Sequence, residues 1–158
     1  MATLLPFNLM PFSARESEVR LFIYQHFIET SEAPPVKAIT DELTITKAEA
    51  EASLKALESQ HALVLKPDSF EIWMAHPFSA VPTSYPVKTD RLIYYANCAW
   101  DALGIPAMLG VDSETETTCP DCEAQVIFGV QDGRLSSSEG IIHFSVPPRK
   151  FWDDVGFT

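Results

Sequence analysis

The sequence predicts an α+β protein in which an N-terminal, winged-helix-like helical lobe packs on a smaller lobe built around a small mixed sheet. Three observations predict this. Apolar residues recur at helical spacing across residues 15–60, and two strand-like runs follow at once. Beyond a proline-rich stretch at residues 75–90, the pattern changes to short β-prone runs around one helical segment. With 158 residues, 46% of them hydrophobic, the chain is long enough for one full core or two small lobes packed together.

The opening "MATLLPFNLMPFSARE" is apolar but has no basic leader, and Pro6 and Pro11 interrupt it well short of a membrane-spanning length, so it reads as a packing arm. In residues 15–30, Val19, Phe22, Ile23 and Phe27 share one helical face, with acidic residues near the start. "VKAITDEL" and "TKAEAEASLKALESQ" read as two further helices, and Ala50, Leu54 and Leu57 form the inner stripe of the second. "HALVLKPDSFEIWM" offers two strands around the turn signal Pro67-Asp68.

Three prolines in "AHPFSAVPTSYPVKTD" mark an extended connection, which divides a lobe over residues 1–80, with its arm, from one over 81–158. In the second lobe "RLIYYA" is β-prone and "NCAWDAL" is helical, with Gly104 and Pro106 expected to stop that helix early. "AQVIFGV" and "GIIHFSV" are the expected strands on either side of the turn-rich "QDGRLSSSEG".

Charge narrows the partners. The net charge of −11, from 22 acidic against 11 basic residues, opposes binding to nucleic acid or to an anionic membrane surface. The helix that would enter a DNA groove carries Glu49, Glu51 and Glu58 against Lys47 and Lys55, so neither DNA nor membrane is an expected partner. Three cysteines, an odd number too small for a secreted disulfide framework, point to a reducing cytoplasm.

The chemistry-bearing pair is Cys98 and Asp101. With Asn97 as helix cap, Cys98 falls in the first turn, where free N–H groups and the helix dipole favour a thiolate. Asp101 at i+3 shares that helical face, and its negative charge opposes thiolate formation, so the pair works best when one group holds a proton for the other. Trp100, Leu103 and Ile105 are the apolar neighbours expected to desolvate the carboxyl. The same spacing also suits a buried thiol acting as a small hydrophobe beside a capping aspartate.

Cys119 and Cys122, in "CPDC", have the spacing of one zinc knuckle, with His143 as a candidate further ligand. They also have the spacing of a redox disulfide, or of a surface turn with idle thiols. His26, His61 and His76 read as capping or packing residues, and Trp152, Asp153 and Asp154 as a lid or packing segment. The glycines between Gly129 and Gly140 lack phosphate-loop spacing.

"YANCAWDALGIPAMLG", "ETTCPDCEAQVIF", "HFSVPPRKFWDDVGFT" and "AHPFSAVPTSYPV" together resemble the alkylmercury lyase family, the organomercurial lyases. The resemblance implies that residues 81–158 form the catalytic lobe. It implies that Cys98 binds the mercury of an organomercurial and that Asp101 protonates the departing carbon, leaving a hydrocarbon and thiol-bound Hg(II). It further implies no organic cofactor, and a need for cellular thiols to remove the ion.

The family's second catalytic cysteine follows a segment like "FWDDVGFT", and no residue up to Thr158 takes that place; the Cys119–Cys122 turn would supply a second thiol only if the sheet carried it over Cys98. Two other functions fit the same residues. One is a divergent family member that catalyses another elimination or proton transfer on a small molecule. The other is a thiol-based metal-binding or sensory protein.

Overall fold

The computed structural model describes residues 12–137, 140–144 and 146–156. The expected packing arm therefore lies almost wholly outside the described residues. The first lobe comprises α1 (Ala14–Thr30), α2 (Val36–Leu43) and α3 (Lys47–Ser59), then β1 (Val64–Leu65), β2 (Ile72–Ala75) and β3 (Phe78–Ser79). The remaining strands are β4 (Pro86–Lys88), β5 (Ile93–Tyr95), β6 (Ser113–Thr118), β7 (Gln125–Gln131) and β8 (Arg134–Leu135). Helix α4 (Ala99–Leu109) lies between β5 and β6, and a 3-10 turn covers Pro148–Lys150.

Helices α1 and α3 each begin with a reciprocal capping box, Ser13 with Glu16 and Thr46 with Glu49, which satisfies N–H groups left free by the first turn. Helix α1 buries Val19, Ile23 and Phe27, and α3 buries Ala50, Leu54 and Leu57. Phe22, expected on the inner face, is only partly buried at the margin. The acidic residues of α3 are engaged locally, Glu51 with Lys47 at 3.5 Å and Glu58 with Lys55 at 3.0 Å.

Strands β1, β2 and β3 form one antiparallel sheet, and the second sheet has the order β5-β4-β6-β7-β8. This second sheet, expected to be mixed, is antiparallel at every pairing. Short connections dictate that outcome, because parallel neighbours need a long crossover. The one helical crossover, α4, joins β5 to β6, which are separated by β4 rather than paired.

Three details depart from the sequence expectation. The proline-rich stretch contributes β3 to one sheet and β4 to the other instead of only connecting lobes. Helix α4 runs through Gly104 and Pro106 to Gly110, which ends it in the left-handed region at φ 66°. Its continuation is stabilised by packing, since Ala102, Ile105 and Pro106 are buried, and a Cβ on Gly104 would stand 3.4 Å from the Pro77 side chain. Finally, residues 140–144 form no strand and Ile141 is 93% exposed, while the polar "SETETT" forms β6.

One core joins the elements. Phe78 stacks on Phe27 at 5.2 Å between centroids and tilts against Tyr94 at 5.5 Å, so the first helix, β3 and β5 meet around a single ring. Val87, Ala102 and Ile105 extend the same buried cluster beneath α4.

Candidate functional site

Helix α4 and the end of β2 meet at a cavity of about 460 Å³. Its floor includes Cys98, Asp101, Asn97 and His76, and its walls include Trp100, Phe144, Phe151 and Trp152. A mostly apolar chamber with a few convergent polar groups suits a small, largely apolar ligand.

Cys98 occupies the N-cap position itself, with extended backbone angles of −152° and 178°; Asn97 is not the cap. Burial is the main cause that pushes the thiol above its ordinary range, and the Asp101 charge adds to it. The N–H groups of Asp101 and Trp100 point at the sulfur and act in the opposite direction, without prevailing. Burial thus favours the thiol form of Cys98 over the expected helix-start thiolate.

Asp101 does not sit among apolar groups as expected. Its Oδ2 accepts from Asn97 Nδ2 at 3.0 Å and lies 3.5 Å from His76 Nδ1, while Trp100, in the cavity wall, is 61% exposed. Asn97 Nδ2 is also 3.1 Å from the Pro77 carbonyl, 3.3 Å from that of Phe78 and 3.3 Å from His76 Nδ1. An amide nitrogen has only two hydrogens, so these acceptors share them, and the carboxylate is tied to the backbone that follows β2.

His76, read from sequence as a packing residue, thus lies at the site. Its carbonyl accepts from Tyr24 Oη at 2.6 Å, so α1 braces the turn that presents the imidazole. Trp152 stacks on His61 at 4.1 Å and meets His76 edge-on at 5.7 Å, placing the C-terminal segment over the cavity mouth. Asp153 and Asp154 do not line the cavity.

Asn97, His76 and Tyr24 escaped the sequence reading because they converge only on folding. The one sequence signal was His76-Pro77, a restricted dipeptide just after a strand. Cys119 and Cys122 do not line the cavity either; they lie in the turn between β6 and β7. Among the described residues, no group of three or more His, Cys, Asp or Glu side chains is placed to hold a metal ion. Among the described residues, His143 is therefore not grouped with Cys119 and Cys122. No helix among the described residues is long and apolar enough to cross a membrane.

Residues 78–158, more than half of the chain, match the family model of alkylmercury lyase, MerB. A solved structure, the mercury-bound form of MerB2, shares the fold with a TM-score of 0.66 at 17% sequence identity. That likeness covers 80% of this chain, and the chain spans 60% of the other protein's length. No curated protein matches the chain.

Proposed function

Because this chain belongs to the alkylmercury lyase family, an enzyme family, we propose that it cleaves the carbon–mercury bond of small organomercurials by protonolysis at Cys98 and Asp101. The observation that carries this reading is that Cys98 and Asp101, three residues apart at the start of α4, both line an aromatic-walled chamber. We also propose that residues 81–158 supply the reacting pair while residues 1–80 brace it, through Met74 and His76 in the cavity wall.

The steps balance without a redox change. Cys98 attacks the mercury of a thiol-bound organomercurial, R–Hg–SR′, as its thiol proton passes to Asp101; the Hg–SR′ bond breaks, giving a Cys98–S–Hg–R adduct, a free thiolate and a neutral carboxyl group. A second thiolate ligates mercury and raises electron density at the carbon. Asp101 then gives its proton to that carbon as the Hg–C bond opens, releasing R–H and leaving Hg(II) between two sulfurs. Cys98 is the one cysteine among the described residues that lines the cavity, so the second sulfur in this reading comes from a cellular thiol. Mercury is substrate here, and no organic cofactor enters the steps.

The roles of the neighbours follow from geometry. Asn97 holds the Asp101 carboxylate, and the aromatic walls exclude water from the carbon that takes the proton. His76, with its side chain 36% exposed, links solvent to the more buried carboxylate. The test is release of benzene from phenylmercury and methane from methylmercury under excess thiol. Cys98→Ser and Asp101→Asn should each lower release by about 100-fold or more, the scale of a lost proton-transfer group. Equal release from all three proteins would reject the assignment.

A further inference from the structure

The CPDC turn is built as more than a loop. Cys119 N–H donates to the Ala124 carbonyl at 2.9 Å, and Glu123 N–H donates back to the Cys119 carbonyl at 2.9 Å. Glu123 adopts a left-handed φ of 59° to close this ring. Within it, Cys119 and Cys122 stand three residues apart in one tight turn between β6 and β7, both as free cysteines. A turn closed by its own backbone hydrogen bonds and carrying two cysteines at Cys-x-x-Cys spacing is a preformed half-site for a soft cation.

Strand directions bring this turn to the Cys98 end of the sheet. Strands β5 and β6 both run antiparallel to β4 and flank it, so their C-terminal ends emerge at the same edge. Cys98 follows β5, and Cys119 follows β6 directly. Tyr85, just before β4, accepts at its carbonyl from Ala96 N–H at 3.0 Å.

We propose that Cys119 and Cys122 form a second soft-metal site, a dithiol that chelates the mercuric ion as a two-coordinate bis-thiolate. Two ligands satisfy mercury, whereas zinc requires four. Loading is thiol exchange: a mercuric bis-monothiolate loses both Hg–S bonds and gains one to each cysteine. The two displaced thiolates take the protons that Cys119 and Cys122 give up, and no atom changes oxidation state. The choice of ion rests on the lyase reading, since Cys98 would generate Hg(II) at the same sheet end, but binding itself does not require that reaction.

The experiment loads full-length Cys98→Ser protein with mercuric chloride in excess monothiol, desalts it, and measures mercury per chain and the near-ultraviolet sulfur-to-mercury absorption. The expected result is one ion per chain, with retention falling at least tenfold when Cys122→Ser or Cys119→Ser is added. Cys122 is exposed, so its variant is expected to keep the turn and decides the matter if the Cys119 variant misfolds. No retained mercury in Cys98→Ser, or retention unchanged by Cys122→Ser, would overturn the proposal. Absence of lyase activity in the unaltered chain would leave this readout untouched, because Cys98→Ser has already removed the lyase thiol.

Discussion

In the proposed reaction Cys98 gives up a proton in a place that resists ionisation, and Asp101 is the group proposed to take it. Because burial and then the Asp101 charge raise the thiol, Asp101→Asn should lower its titration midpoint while leaving it above that of a free cysteine. Iodoacetamide labelling of Cys98 across pH, read by mass spectrometry, checks the shift. The sign for stability follows from the same cause. The folded chain holds this proton more tightly than the unfolded one, so the contribution is complete below the ordinary thiol range. It is lost as pH rises through the raised value, and Cys98→Ala should remove that part of the alkaline decline in an unfolding series. Asn97→Ala should cut turnover by about tenfold or more with little change in KM, since a hydrogen bond to a charged group contributes about 1.5–3 kcal/mol. The i, i+3 spacing made the thiol and carboxylate legible in sequence. Asn97 was read as the helix cap, a position that Cys98 takes, because its partners at positions 76–78 come from a turn about twenty residues away.

Helix α4 shows how packing overrides local signals. Gly104 and Pro106 are helix stops by propensity, yet burial of Ile105 and Pro106 and the approach of Pro77 continue the helix to Gly110. This extension sets the base on which Cys98 and Asp101 stand. Strand β6 escaped the sequence reading for the opposite reason, since "SETETT" lacks apolar residues although Ser113 and Thr115 are buried. Its partner β7 is locked against it at Gly129, where an added Cβ would stand 2.0 Å from the Ser113 carbonyl oxygen. Gly129→Ala should therefore destabilise by at least about 1–3 kcal/mol, the usual cost of overpacking, in urea unfolding. The first three helices were legible because their apolar periodicity agrees with the faces the fold buries. Thr46→Ala should cost about 1 kcal/mol by the same measurement.

Across the whole molecule, the helical lobe and the site share one core, centred on Phe78. Phe78→Ala should cost about 3–5 kcal/mol and loosen the cavity with the helices, giving coincident helical-circular-dichroism and tryptophan-fluorescence transitions. The α+β class and the packing of one lobe on the other were legible from the order of patterns, whereas the residues that join them were not, since these are aromatic contacts between distant segments. The central claim is that Cys98 captures mercury and Asp101 supplies the proton that frees the carbon. The most direct measurement is a single-turnover experiment on Asp101→Asn with phenylmercury in excess thiol, recording mercury capture and benzene release separately. The account predicts that mercury is captured through Cys98 while benzene release slows by about 100-fold or more. Release at the unaltered rate would contradict it.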